Sequence, residues 1–186
     1  MGLTLTIDKY IGSNMSERQP FEAKSDDVRE AVIEGLHIVK GDDGLSNLVL
    51  DDMNLCAANL SGLDFDNTSF RSVKADDANF SGSRFYWADF SGADLYAANF
   101  KFATSKYRVS FIDADLRSIR WSDADIRADF RGAKLDQNAL RYALGNKGRV
   151  LNNPIKNLLA IIEFKCTGKI PKKLIAQLAA NKGKVA

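Results

Sequence analysis

A bulky apolar residue recurs at every fifth position over roughly half of this chain, and that period constrains the fold more than any other feature. With that residue as the centre of each unit, the centres run Leu50, Leu55, Leu60, Phe65, Phe70, Ala75, Phe80, Phe85, Phe90, Leu95, Phe100 and Ser105. One residue is then inserted, and the centres resume as Phe111, Leu116, Trp121 and Ile126. One is then lost, giving Phe130, Leu135 and Leu140. A small residue stands two places before most centres, and Asp or Asn often stands one place before. Five is neither the period of a strand nor that of an α-helix, so neither element can be continuous here. The pattern fits a short extended piece followed by a corner. Residues two apart in an extended piece share a face, which turns the centre and the small residue inward. Asp and Asn suit the corners because their side chains bond nearby backbone groups.

Self-similarity at a fixed period marks a solenoid. The register resembles the pentapeptide-repeat family, with its A-(D/N)-(L/F)-x-x motif, over roughly residues 45–140. The resemblance implies an all-β solenoid, a right-handed quadrilateral β-helix with four units per coil. Every fourth centre then stacks on one face. Face one collects Leu50, Phe70, Phe90, Phe111 and Phe130; face two collects Leu55, Ala75, Leu95, Leu116 and Leu135. Face three collects Leu60, Phe80, Phe100, Trp121 and Leu140; face four collects Phe65, Phe85, Ser105 and Ile126. The gap at Ala75 is offset by Val73, which takes the inward position where other units carry Ala.

Three regions follow: residues 1–44 as a small α/β N-terminal cap, 45–140 as the β-helix, and 141–186 as a basic C-terminal α-helical segment. In the first region, Leu3, Leu5 and Ile7 alternate with Thr4, Thr6 and Asp8, which predicts a short strand. Gly12 to Pro20 reads as a polar loop. Ser25 suits an N-cap, with Asp26 and Asp27 in the first turn. Val28, Val32, Ile33 and Leu36 make an apolar stripe, so a helix is expected to about Leu36. His37-Ile38-Val39 has the composition of a strand, and Gly41 to Gly44 that of a turn. Such a segment would cover the open end of the β-helix. In the last region, Asn153-Pro154 opens a helix with Ile155, Leu158, Leu159 and Ile162 on one face. Gly168 ends it, and Pro171 opens a second helix carrying Leu174, Ile175 and Leu178.

Charge is unevenly placed. Residues 1–44 carry five basic and nine acidic groups, residues 45–140 eleven and fourteen, and residues 141–186 ten and one. The basic end fits contact with nucleic acid or an anionic membrane surface. In gyrase-binding members of the family a C-terminal element supports dimer formation, so the resemblance implies a homodimer through the C-terminal helices.

Nothing in the sequence assembles a catalytic or metal centre. His37 is the only histidine. Cys56 follows a centre and faces outward, and with Cys166 it makes neither a metal spacing nor a disulfide framework, as expected in a reducing cytoplasm. The corner Asp residues lack the burial that would tune them for acid–base work. No phosphate loop or zinc spacing is present, no secretory signal is recognisable, and no apolar run is long enough to span a bilayer. No cofactor, no metal and no enzymatic activity are expected.

The outward positions are the residue before each centre and the two after it. On face four this gathers Arg84, Tyr86, Trp87, Lys106, Tyr107, Arg108 and Arg127, with Phe102 at the adjacent corner. Trp87 falls one coil from Tyr107. Exposed aromatics beside Arg resemble a protein-binding hot spot, unless a terminal segment folds over them. Asp51, Asp52, Asp76, Asp77, Asp94, Asp113, Asp115 and Asp136 fall on faces one and two, with Arg and Lys interspersed. They read either as a solvated face or, by resemblance, as part of a surface that imitates duplex DNA and binds DNA gyrase. The expectation is a non-enzymatic, cytoplasmic, rigid protein-binding module or scaffold. Its partner would be a topoisomerase, by family analogy, or a larger assembly. The alternative is a nucleic-acid or anionic-membrane-surface binder acting through the basic C-terminal helices.

Overall fold

Period-five patterning builds the observed architecture directly. The structure is a computed structural model that describes residues 2–10, 16–41, 46–136, 138, 139 and 142. Leu140 and all of the expected C-terminal helical segment except Tyr142 lie outside the described residues, as do residues 42–45.

The solenoid is visible in its rungs. Parallel bridges join Val49 to Ser69, Asn54 to Lys74, Asn59 to Asn79 and Asp64 to Arg84, then Ser69 to Asp89 and onward, each pair twenty residues apart. Four five-residue units therefore make one coil. Bridges that cross the inserted residue are twenty-one apart, as in Asp89 to Ser110 and Asn99 to Arg120, and Asp115 to Lys134 is nineteen apart after the loss. Backbone groups pair coil to coil: Leu60 N–H donates to the Asn79 carbonyl at 2.8 Å, and Asn79 N–H to the Ala58 carbonyl at 2.9 Å.

From Leu50 to Phe130 the corner after each centre is a β-turn, except after Ser105 and Ile126, where the chain stays extended. The N–H three places after a centre donates to the centre's carbonyl, as in Ala58 to Leu55 and Ala98 to Leu95, both at 3.0 Å. The second residue after the centre has a positive φ, which makes the turn type II. Glycine holds that place at Gly62, Gly82, Gly92 and Gly132, and residues with side chains hold it elsewhere. The Asp or Asn before the centre accepts from the N–H two places on, as in Asn79 to Ser81 and Asp89 to Ser91.

Inside, the centres stack by face. On face one Phe70 lies on Phe90 at 4.3 Å, Phe90 on Phe111 at 5.3 Å, and Phe111 on Phe130 at 5.7 Å. On face three Phe80, Phe100 and Trp121 stack at 5.1 and 5.2 Å. Rings of different faces meet edge-on, as in Phe80 with Phe90. Ala75 and Val73 are both fully buried.

The cap is a three-stranded antiparallel sheet and one helix. β1 (Thr4–Tyr10) lies between β2 (Ser16–Glu22) and β3 (Ser46–Val49). α1 (Val28–Gly41) packs Ala31, Val32, Leu36 and Val39 against the sheet. A Cβ at Gly35 would sit 2.8 Å from Leu48 and 3.0 Å from Phe21, so glycine sets this close approach. β3 runs into the first coil, where Val49 bridges to Ser69. The Arg29 guanidinium donates to the Asn59 carbonyl at 2.8 Å and the Ser61 carbonyl at 3.0 Å. The equivalent carbonyls one coil later, Asn79 and Ser81, accept from the coil before them. The first coil has no such neighbour, and Arg29 supplies the missing donors.

Three local expectations are corrected. Residues 16–20 of the expected polar loop belong to β2, whose outer position in the sheet tolerates polar residues and Pro20. His37-Ile38-Val39 is helical rather than a strand, because Val39, three places past Leu36, extends the same buried stripe. The N-cap is Asp27, not Ser25: the Asp27 carboxylate accepts from Glu30 N–H at 3.0 Å, while Ser25 accepts from Asp27 N–H.

Candidate interaction surface

The one inserted residue of the repeat shapes face four. β4 (Thr104–Ser110) and β5 (Asp125–Asp129) pair in parallel, Ser105 opposite Ile126 and Val109 opposite Ala128. Between those rungs Lys106, Tyr107 and Arg108 stand opposite the single residue Arg127, so β4 bulges outward. The Ser105 hydroxyl donates to the Tyr107 carbonyl across the bulge. Beside it opens a cleft of about 250 Å³ lined by Tyr86, Thr104, Ser105, Lys106, Asp125 and Arg127.

The aromatic groups assemble as the register implies. Trp87 and Tyr107 stack at 5.2 Å with an interplanar angle of 10°, and Tyr86 meets Tyr107 edge-on at 5.6 Å. Trp87 is 57% exposed, Phe102 53% and Tyr107 42%. None of the described residues folds over them. Trp87 and Phe102 both occupy the left-handed corner position, with φ of 63° and 60°. Bulky side chains seldom adopt that conformation. Lys101 lies over the Phe102 ring at 4.8 Å and Lys106 over the Tyr107 ring at 5.5 Å.

The arginines divide. Arg84 is held by Asp66 at 2.9 Å and by Asp64, and it lies 5.0 Å from the Tyr86 ring. Its hydrogen bond to Asp66 pushes its pKa further up. Burial pushes the Asp66 carboxyl up despite Arg84. Burial also works against the Asp64 charge, but hydrogen bonds to Lys40 and Asp66 and the Arg84 charge bring Asp64 below the usual carboxylate range. Arg108 turns away from face four to pair with Asp129, which is 2% exposed and also bonds Arg131 at 2.7 Å. Lys106 and Arg127 carry no ion pair to any described residue.

Faces one and two carry the expected acids, but not as an unbroken row. Asp51 accepts from the Ser69 hydroxyl and the Arg71 N–H and pairs with Arg18. Asp89 pairs with Arg71 at 2.6 Å. Asp115 is buried rather than solvated, bonded to Arg117 at 2.6 Å with Lys134 at 3.8 Å. Asp136 accepts from the N–H groups of Ser118, Asn138 and Ala139. Asp52, Asp77, Asp94 and Asp113 are exposed, and Asp76 is half-buried beside Asp94. Tyr96, 45% exposed under Arg117, is a further surface aromatic that the face-four reading passed over. His37 lies exposed on α1, and Cys56 is exposed. No group of acidic, His or Cys residues among the described residues could hold a metal, and none of their helices is long and apolar enough to cross a membrane.

The family model for pentapeptide repeats matches residues 50–85 and 76–104, with eight copies in all. Residues 50–104 thus carry pentapeptide repeats. No curated protein matches it. Among solved structures it is similar to HetL of Nostoc sp. strain PCC 7120, a pentapeptide repeat protein involved in heterocyst differentiation regulation. The identity is 26% over 46% of this chain and 38% of that one, with a TM-score of 0.32. It is also similar to a pentapeptide repeat protein from Cyanothece 51142, at 22% identity over 49% of this chain and 62% of that one, TM-score 0.26. The chain thus spans less than two thirds of either protein.

The insertion that makes the cleft was legible as a break in the spacing of centres. The strained corner was not singled out, although the recurrence of Gly62, Gly82, Gly92 and Gly132 two places after their centres carries it. The Arg108–Asp129 pair joins face four to face one through a bulge whose geometry the repeat does not encode.

Proposed function

We propose that this pentapeptide-repeat protein is a rigid protein-docking module and that face four, centred on Trp87 and Tyr107, is its binding surface. One observation carries the reading. Two large aromatic side chains, Trp87 and Phe102, stand more than half exposed at left-handed corners held elsewhere by Gly, Ala, Ser, Asn or Asp. A non-glycine residue held there costs about 1–3 kcal/mol. Neither side chain recovers this by burial, so a binding role accounts for their presence there. The lysines over the Phe102 and Tyr107 rings keep the aromatic surface soluble until a partner arrives. The charge pattern does not favour a topoisomerase as that partner. Faces one and two carry Asp51, Asp89, Asp115 and Asp129 already paired with arginines, which interrupts the continuous anionic stripe that imitation of duplex DNA requires.

The test is a photo-cross-linking amino acid placed in turn at Phe102, at the corner beside face four, and at Tyr96 on face two, in the native host. Cross-links to a discrete protein from Phe102 and not from Tyr96, abolished by Trp87→Gly, are the expected result. Cross-links from Tyr96 alone would move the binding surface to face two.

A further inference from the structure

The charges around the aromatic pair say what kind of partner fits. Several arginines of the neighbouring coils are already neutralised: Arg84 by Asp64 and Asp66, Arg108 and Arg131 by Asp129, Arg117 by Asp115. Lys106 and Arg127, like Lys101 and Arg120, form no ion pair with a described residue, but they alone share a cleft. The bulge of β4 brings them to the same cleft, beside the hydroxyl-bearing Thr104 and Tyr86, and neither has a carboxylate partner among the described residues. Among the described residues Asp125 is the one carboxylate lining that cleft, against two cations. The stacked Trp87 and Tyr107 adjoin the cleft through Tyr86 and leave about half of their surfaces in solvent.

Resting on the reading of face four as a docking surface, we propose that its partner presents an acidic peptide segment with an aromatic or large aliphatic anchor. Carboxylates of that segment meet Lys106 and Arg127 at the cleft, and the anchor lies on the Trp87–Tyr107 pair. Guanidinium and ammonium groups without a described carboxylate partner are matched by carboxylates, with the planar Arg127 fork suited to a two-pronged contact. An apolar anchor takes up the ring surface that the protein itself leaves uncovered. A single-stranded nucleic acid also combines negative charge with stacking. It fits less well, because carboxylates interrupt the path it would take. A phosphate backbone following the rod would pass Asp64 and Asp66 on the same face and Asp125 within the cleft.

The experiment pans a displayed library of random peptides on the full-length protein and replays the enriched pool on Lys106→Glu, Arg127→Glu, Trp87→Gly and Tyr96→Ala. All four positions are exposed, and melting temperatures verify that each variant is folded. Enriched peptides should combine Asp or Glu with one aromatic or large aliphatic residue. Each charge reversal should weaken their binding by about tenfold or more. Trp87→Gly should weaken it comparably, and Tyr96→Ala should leave it unchanged. Enrichment of basic or uncharged peptides, or retention undiminished by the charge reversals, overturns the acidic partner. If such peptides still depend on Trp87, face four survives as a docking surface with a different chemistry. If they depend on Tyr96 instead, or if nothing enriches over the charge-reversed proteins, both readings fall. Oligothymidylate that binds in fluorescence anisotropy and is released by Arg127→Glu would also overturn the peptide proposal.

Discussion

At single positions the repeat sets two opposing demands, and Trp87 shows how they balance. Its corner asks for a left-handed backbone, which Gly82 and Gly92 meet without strain in the adjacent units. Trp87→Gly relieves about 1–3 kcal/mol of strain. It forfeits about 0.5–1.5 kcal/mol of stacking on Tyr107 and roughly 0.5–1 kcal/mol of added chain entropy. Chemical denaturation should therefore place the variant within about 2 kcal/mol of the parent, while partner binding is lost. A destabilisation of several kcal/mol would make Trp87 a structural residue. Charge on face two gives a second test. Burial, then Asp94, Asp77 and Asp115, push the Asp76 carboxyl above its ordinary value of 3.8. The folded state thus holds that proton more tightly than the unfolded chain does, so the Asp76 charge destabilises at neutral pH and ceases to matter below both values. Asp76→Asn should raise the melting temperature at neutral pH, and the gain should vanish well below the carboxylate range. Asp115 runs the other way. Burial disfavours its charge, but Arg117, the Arg117 N–H and Lys134 outweigh that and bring it below the usual range. Its contribution is complete above the unfolded value and is lost as pH falls through the lowered one. Asp115→Asn should therefore be destabilising at neutral pH and nearly silent in strong acid.

At the level of elements, what the sequence made legible follows periodicity. The ring ladders could be written down from the spacing of centres alone, and Phe90 is the most enclosed example, stacked between Phe70 and Phe111 and edge-on to Phe80, Phe85 and Phe100. Phe90→Ala should cost about 3–5 kcal/mol, read as a large fall in melting temperature. An unchanged melting temperature would mean that the ladder does not carry the fold. Elements without a strong period were harder to read. β2 carries Glu17, Arg18, Gln19 and Pro20 in a row, so its pairing with β1 left no alternation to find. The helix ran past its expected end because Ile38-Val39, a β-branched pair, masks the spacing by which Val39 joins Val32 and Leu36 on the buried stripe. The face-four site was legible in part. The meeting of Trp87 with Tyr107 follows from register, whereas the diversion of Arg108 to Asp129 depends on how three residues of the bulge turn opposite one.

Across the whole molecule, a solenoid is held by contacts between neighbouring coils, so its stability is approximately a sum over interfaces and its ends are its weak points. The first coil has a neighbour on one side only, and the cap supplies the other. Leu48 continues the core into the sheet, while Arg29 bonds the Asn59 and Ser61 carbonyls and Lys40 pairs with Asp64 at 3.1 Å. Charge-assisted bonds of this kind are worth about 1.5–3 kcal/mol each when buried, and less where water competes. Arg29→Ala should lower stability by about 1–3 kcal/mol, and Arg29→Lys should recover only part, since one ammonium lacks the fork that spans two carbonyls. Hydrogen exchange tests the directional consequence. In a form beginning at Ser46 the amides of Leu55 and Leu60, which donate to Lys74 and Asn79, should lose protection first, because their coil has become the terminus. Those of Phe90 and Phe100, deep in the ring ladders, should keep theirs. In Arg29→Ala the loss should be confined further, to the corner at Asn59 to Leu63. Equal loss in every coil would mean that the rod opens as one cooperative unit and that the cap holds the whole solenoid rather than its first coil.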